Sequence, residues 1–90
     1  MTRENLATAS DRLDAAADAT DDEDAAQRLR DLADQLDSLA ERERGPDHGR
    51  LARIENALGD LQERVGEDAA AEIEAGHDAV IAFRETVEGV

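Results

Sequence analysis

The apolar residues of this chain recur every three or four positions along four segments, and no segment alternates apolar and polar residues with a period of two. The first spacing places apolar side chains on one face of an α-helix, whereas the second is typical of a β-strand. Glycine, proline, or threonine with aspartate separates the segments. The pattern predicts an all-α protein with helices over about residues 3–19, 21–44, 48–65 and 68–88.

Each predicted helix has an apolar stripe that should face a common core. Alanine, the best helix former, occurs eighteen times and supports the same assignment. The stripes are Leu6, Ala9, Leu13 and Ala16; then Ala25, Leu29, Leu32, Leu36 and Leu39 with Ala33 and Ala40 beside them; then Leu51, Ile54, Leu58, Leu61 and Val65; and finally Ala70, Ile73, Val80, Phe83 and Val87.

Local signals mark where the helices begin and end. Thr20, with Glu23 three residues later, matches the capping box, in which each side chain accepts a hydrogen bond from the other residue's backbone N–H. Gly45–Gly49 is the clearest break, because its proline disfavours a helical residue before it and Asp47 can cap the next helix. The third helix is expected to stop near Gly66.

Short links make successive helices antiparallel, so the sequence predicts one domain over residues 1–90, an up-down-up-down four-helix bundle. The tetrapeptide Glu23–Ala26 recurs forty-four residues later as Glu67–Ala70. Two interpretations remain open. Either the chain consists of two copies of one helical hairpin, or two amphipathic hairpins align because both are rich in alanine and acidic residues.

Charge is the most unusual property of the composition. Twenty-four acidic residues stand against ten arginines and no lysine, for a formal net charge of −14. At molar salt the Debye length is about 3 Å, so this charge hydrates the protein without forcing its helices apart. The proportions predict a halophilic, haloarchaeal protein. Opposite charges four residues apart predict exposed ion pairs within helices: Asp24–Arg28, Arg30–Asp34, Asp60–Arg64 and Arg84–Glu88.

The composition also excludes several classes of function. Without cysteine there are no disulfides, thiolate metal sites or cysteine nucleophiles. No apolar run approaches the length of a membrane span, and the N-terminal segment lacks an apolar signal region, so we expect a cytoplasmic protein with no membrane partner. Dispersed arginines and a single aromatic residue argue against direct nucleic-acid binding. No hydroxyl residue has a nucleophile's context, so we expect neither enzymatic activity nor a cofactor.

Glu74 and His77 are the candidate metal ligands. They lie one turn apart, as in the Glu-x-x-His steps of bundles that hold two metal ions. A metal site needs further inward carboxylates, yet Glu41, Glu43 and Glu55 occupy positions that point outward from the predicted core. A solvated or interfacial His77 is therefore the simpler interpretation, and a metal site would require a dimer that brings two copies together.

The start of the third helix holds a second group of candidates. His48 follows Asp47, a combination that suggests a general base, although loop or cap structure explains it more simply. Arg50 and Arg53 make this the least acidic stretch of the chain. They either dock an anion at the helix start or pair with neighbouring acids.

Two stretches carry a resemblance to known proteins. Residues 41–53 read ERERGPDHGRLAR, and residues 83–90 read FRETVEGV. With these features the chain resembles small acidic haloarchaeal helical proteins of unknown function, which are of similar length. The resemblance supports the expectation of a halophilic protein and implies no catalytic residues.

The leading hypothesis is a non-enzymatic interaction or scaffold module that self-associates, most simply as a homodimer, and binds a further protein. The third and fourth helices carry more large apolar residues than the thin first helix can cover, and Ile81 lies about 100° around the helix from Val80. Surplus apolar surface on a small domain favours a second copy. The alternatives are a metal-binding bundle that uses Glu74 and His77, and an acidic nucleic-acid mimic that regulates a basic protein.

Overall fold

The computed structural model describes residues 2–41 and 48–88, with side chains over 4–41 and 49–85. These ranges contain helices and no strand, which confirms the predicted fold class. The predicted end of the second helix at residue 44 and the cap at Asp47 lie outside the described residues. The helices are α1 (Thr2–Ala19), α2 (Glu23–Glu41), α3 (His48–Arg64) and α4 (Glu67–Glu88).

The four helices form a four-membered ring in chain order. Helix α1 packs closely against both α2 and α4, and α3 packs against α4 and more loosely against α2. Over the described ranges the diagonal pairs, α1 with α3 and α2 with α4, bring no Cα atoms within 8 Å of each other. This neighbour pattern is that of an up-down-up-down bundle with short links, as the sequence predicted.

The stripes predicted from spacing form one continuous core, which confirms them for most positions. Val65 is only half-buried at the end of α3, and the Val87 side chain lies outside the described part. The large stripe residues that are at most 6% exposed are Leu6, Leu13, Leu29, Leu32, Leu36, Leu39, Leu51, Ile54, Leu58, Leu61, Ile73, Val80 and Phe83.

The stripe of α4 differs from the prediction at its first member. Ala69 is buried, whereas Ala70 is half-buried. The reason is that Gly76, which is also buried, fills the stripe position between Ile73 and Val80. Extended towards the helix start with the same alternation of three and four residues, the spacing leads to Ala69.

The predicted capping box at the start of α2 is wrong. The helix begins at Glu23, and its cap is Asp22, whose Oδ1 accepts a hydrogen bond from the Ala25 N–H at 3.1 Å. The Thr20 hydroxyl oxygen instead accepts from the Asp22 N–H at 3.1 Å. Asp22 is the better cap because its carboxylate lies next to the positive end of the helix dipole.

The third helix stops near Gly66, as predicted, but without a glycine cap. Helix α3 ends at Arg64, and Gly66 does not adopt the left-handed conformation of a glycine cap. Its carbonyl oxygen accepts the first hydrogen bond of α4, from the Ala70 N–H at 2.9 Å. The Asp22 carbonyl makes the equivalent bond to the Ala26 N–H, also at 2.9 Å.

The two hairpins therefore start their second helices in the same way, forty-four residues apart. Equivalent positions of the two hairpins are also buried alike. This agreement fits a true repeat and a chance alignment of two similar hairpins equally well. The equivalent buried pairs are Ala25 and Ala69, Leu29 and Ile73, Leu36 and Val80, and Leu39 and Phe83, with Leu6 and Leu51 and Leu13 and Leu58 related by forty-five residues.

Small residues decide which helices approach closely. At the α1–α4 seam, Gly76 lies against Ala9 and Leu13. At the α2–α3 seam, the positions that correspond in the repeat hold larger residues, Leu32 and Ile54. These side chains keep α2 and α3 apart at the backbone, and a surface groove runs along their seam.

Candidate functional site

A charged cluster joins α3 and α4. Glu55, on α3, accepts hydrogen bonds from two α4 residues: its Oε1 lies 3.0 Å from Nε2 of His77, and its Oε2 contacts the Arg84 guanidinium. Because an ionised carboxylate only accepts, this contact requires the proton of His77 on Nε2. The three side chains are largely buried, with exposures of 17% for Glu55, 29% for His77 and 26% for Arg84.

The environment of Glu55 stabilises its charged form. Burial by itself raises the pKa of this carboxyl group, since it disfavours charge. The hydrogen bonds from Arg84 and His77, together with their charges, outweigh burial and lower the pKa below its ordinary value. The cluster therefore holds a carboxylate in place between two helices.

The cluster changes the interpretation of the candidate metal ligands. His77 faces Glu55 on α3, whereas Glu74, one turn earlier, is exposed. In the part of the chain that the structure describes, no three histidine, aspartate or glutamate side chains come close enough to hold a metal ion. The prediction that Glu55 points outward is wrong, because it lies at the edge of the α3–α4 interface.

A signal for Glu55 was present in the sequence. Glu55 directly follows the stripe residue Ile54, and Arg84 directly follows Phe83. Charged residues next to a stripe border the core, where a neighbouring helix can reach them. The sequence does not show which of these border residues meet, because that depends on how the two helices are aligned.

An arginine-lined groove occupies the α2–α3 seam, at the end where α3 begins. Its volume is about 210 Å³. Residues four and then three apart on α2 form one wall, and residues from the first turns of α3 form the other. The lining residues are Arg28, Leu32 and Gln35 of α2 and Arg50, Arg53 and Ile54 of α3.

Two of the three arginines have no acidic partner in the described structure. Arg28 and Arg53 are exposed, and no ion pair or hydrogen bond joins either of them to the described residues. Arg50 is half-buried and has an interaction of its own. The predicted pair Asp24–Arg28 therefore does not form. His48, the other candidate here, has a side chain outside the described part.

Within the described residues, the ion pairs of Arg12, Arg30 and Arg64 each link separate elements of the chain. Arg30 contacts Asp18 of α1 at 2.9 Å, and Arg64 contacts Asp22 at 3.2 Å, so the predicted pairs of Arg30 with Asp34 and Arg64 with Asp60 are wrong. A long arginine side chain reaches a neighbouring element as easily as the next turn of its own helix. A further pair, Arg12–Glu72 at 3.2 Å, joins α1 and α4.

Acidic side chains cluster on the α1–α2 face around Asp14. Burial raises the pKa of Asp14, and the negative charges of Asp37, Asp34 and Asp11 raise it further, although Arg30 acts in the opposite direction. Desolvation and the neighbouring carboxylates thus both disfavour the charged form of Asp14.

Ile81 is the one large hydrophobic side chain that is exposed within the described ranges, at 37%. It borders a shallow depression of about 250 Å³ that Glu55, Arg84 and Glu85 also line. The prediction that Ile81 lies off the main stripe of α4 is confirmed.

These features define a small antiparallel four-helix bundle with a charged interhelical cluster and an arginine-lined groove. A family of unknown function, DUF7553, matches residues 1–86, and the chain belongs to this family. No curated protein and no solved structure matches it. Within the described residues, no helix combines the length and apolarity that crossing a membrane requires.

Proposed function

We propose that this chain is a non-enzymatic protein-binding module that self-associates as a homodimer through the exposed face of α4. The observation that carries the proposal is Ile81, exposed beside the charged pair Arg84 and Glu85. Nearly all other large apolar side chains of the described region are buried in the core. Over residues 4–41 and 49–85, the surplus of large apolar side chains expected from the sequence is thus reduced to Ile81.

A two-fold axis near Ile81 would make the face self-complementary. In a homodimer of this symmetry, the same surface patch serves both copies. Ile81 would pack against its own counterpart, while Arg84 and Glu85, adjacent in sequence and opposite in charge, would lie near Glu85 and Arg84 of the other copy. The depression beside Ile81 offers room for the incoming side chain.

High salt favours such an association. It screens the repulsion between two chains that each carry a charge of −14, and it can strengthen the burial of apolar surface. The excess of acid and the complete use of arginine in place of lysine support a halophilic, haloarchaeal, cytoplasmic protein as part of the same proposal.

Light scattering after size exclusion at about 2 M KCl tests the homodimer. We expect a mass about twice the 9.7 kDa of one chain. Ile81→Arg should give a monomer, because it places a charge at the centre of the contact. Ala71→Arg adds the same charge at an exposed position earlier in α4 and should remain dimeric. A wild-type mass of 9.7 kDa at every concentration, or a dimer insensitive to Ile81→Arg, would contradict the proposal.

The acidic patch around Asp14 favours a second candidate function, binding of a basic protein in place of nucleic acid. Its carboxylates gather on one face of α1 and α2, opposite in charge to such a partner. Fluorescence anisotropy with a labelled arginine-rich peptide tests this candidate. Asp14→Asn with Asp37→Asn should weaken binding more than Asp68→Asn with Asp78→Asn, which removes the same charge from α4. If the two double variants weakened peptide binding equally, binding would depend only on the net charge of the chain.

A further inference from the structure

We infer that the groove between α2 and α3 is a binding site for a small phosphate-bearing ligand, held by Arg28, Arg50 and Arg53. This inference goes beyond the proposed self-association, since the groove is lined by α2 and α3 and does not include Ile81. It rests on the convergence of three guanidinium groups in a chain where acids outnumber arginines by more than two to one.

The described lining of the groove is rich in arginine and contains no carboxylate. Its six lining residues are three arginines, one glutamine and two aliphatic residues, so no carboxylate lines it within the described structure. Arg28 and Arg53 are exposed and make no ion pair with the described residues. By contrast, Arg12, Arg30 and Arg64 each contact a carboxylate on another element at 2.9–3.2 Å.

Backbone geometry adds to the positive potential. Arg50 lies in the first turn of α3, and that turn contains no acidic residue. The N-terminal end of a helix carries partial positive charge and N–H groups without helical partners. The arginines and the helix end therefore favour an anion at the same place.

The number of donors favours phosphate over carboxylate. A guanidinium group presents a planar fork that forms paired hydrogen bonds with oxyanions. A single carboxylate has two oxygens, whereas a phosphate monoester has three terminal oxygens and a charge of about −1.5 to −2 near neutral pH. Arg28 and Arg53, on two different helices, can each present such a fork to the tetrahedral group, whereas a carboxylate offers only two oxygens, both in one plane.

The dimensions and floor of the groove restrict the rest of the ligand. Its volume of about 210 Å³ is below that of most sites for drug-sized molecules. Leu32 and Ile54 lie beneath the arginines and are only 1% and 2% exposed, so they limit its depth. None of the described lining residues is aromatic, so none of them offers a flat ring for a nucleobase to stack on. The ligand is therefore a compact phosphate or diphosphate compound.

The neighbouring part of the seam has a different charge. There Arg28 and Arg64 lie with Asp24 and Asp60 around a second depression. Acids and arginines are balanced in that depression, whereas arginines are the only charged residues among the described residues that line the groove near the start of α3. Phosphate is thus expected to bind at one end of the seam only.

Titration with inorganic phosphate and pyrophosphate, followed by ¹H–¹⁵N NMR of the backbone and of arginine Nε, tests the assignment in about 1 M KCl. Saturable shifts confined to residues along the arginine-lined end of the seam are expected. Shifts spread over the whole surface, or none that saturate, would overturn it. Citrate at the same charge is the carboxylate comparison, and citrate binding as tightly as pyrophosphate would overturn the preference for phosphate.

A matched pair of double variants separates the groove from bulk charge. Arg28→Gln with Arg53→Gln should weaken pyrophosphate binding at least about tenfold, because both unpaired guanidinium groups are lost. Arg12→Gln with Arg30→Gln removes the same charge outside the groove and should change affinity less than about twofold. Arg53→Gln alone serves if the double variant does not fold. Equal losses of pyrophosphate affinity in the two double variants would overturn the inference.

Discussion

Gly76 on α4 packs directly against Leu13 on α1. A Cβ atom at residue 76 would lie 3.0 Å from Cδ2 of Leu13 and 3.4 Å from the carbonyl oxygen of Ala9. Leu13 is fully buried, so it has little room to move away. The close approach of α1 and α4 therefore depends on the missing side chain at Gly76.

This contact predicts opposite effects for two glycine-to-alanine changes. Gly59, within α3, has open space around it, so Gly59→Ala should stabilise the protein by about 0.5–1 kcal/mol through helix propensity. Gly76→Ala should instead destabilise it by about 1 kcal/mol, because overpacking exceeds the same gain. Urea unfolding followed by circular dichroism measures both. Equal stabilisation would show that α1 and α4 separate easily.

Truncation of the core should be costly at Leu36 and Leu58. Both side chains are fully buried in the middle of their stripes, so Leu36→Ala and Leu58→Ala should each lower the free energy of unfolding by about 2–5 kcal/mol. Ser38→Ala, at an exposed position of α2, is the control and should change it by less than about 0.5 kcal/mol. If Leu58→Ala lowered the free energy of unfolding by less than the limit set for the control, the apolar stripe of α3 would not be part of the core.

The Glu55 cluster predicts a pH-dependent contribution to stability. Glu55→Gln should destabilise the protein by about 1–2 kcal/mol at pH 7, because it weakens the hydrogen bonds from His77 and Arg84. Since the pKa of Glu55 is lowered in the fold, its contribution is full above the ordinary glutamate value of about 4.3. It is lost as the pH falls through the lowered pKa.

The difference in unfolding free energy between wild type and Glu55→Gln is the quantity to measure from about pH 7 to pH 3. Taking the difference cancels the protonation of the other carboxylates. Glu63→Gln, exposed on the same helix, is the control and should stay close to wild type throughout. A difference that does not shrink at low pH would mean that the charge of Glu55 contributes nothing.

The partial desolvation of Asp14 and the negative charges around it predict a stabilising substitution. Because the pKa of Asp14 is raised, its contribution to stability is present below the ordinary aspartate pKa and is lost as the pH rises through the raised value. Ionised Asp14 therefore destabilises the fold at neutral pH. Asp14→Asn should add a few tenths of a kcal/mol there, because the side chain is exposed and largely screened.

Salt separates this local effect from the net charge. The gain from Asp14→Asn should be largest at low salt and decline towards about 1 M KCl. Asp78→Asn makes the same change in net charge at an exposed position of α4. Thermal unfolding of both variants over a KCl series provides the comparison, and identical gains would assign the effect to the charge of the whole chain.

The whole fold should depend on salt for the same reason. With a net charge of −14 on ninety residues, helical circular dichroism and the melting temperature should fall as KCl drops from molar to about 0.05 M. An uncharged osmolyte at matched osmolality is the control, because it favours compaction without screening charge. Constant ellipticity and melting temperature over the KCl range would refute the expectation.

The sequence by itself determined the helices and their buried faces. Residues spaced three and four apart, such as Leu51, Ile54 and Leu58, must share one face of a helix, and all three are buried. The short link between α1 and α2 likewise required antiparallel neighbours. Ile81 was correctly placed off the stripe, because 100° per residue is a property of the helix alone.

Only the tertiary structure decided which side chains meet across helices. The pairing of Glu55 with His77 and Arg84, the contact of Gly76 with Leu13, and the shared groove of Arg28 and Arg53 depend on the lengthwise alignment and separation of two helices. The spacing of apolar residues within one helix specifies neither the alignment nor the separation of two helices. The packing of large residues against small ones sets both, and with them the positions of the charges at the edges of the core.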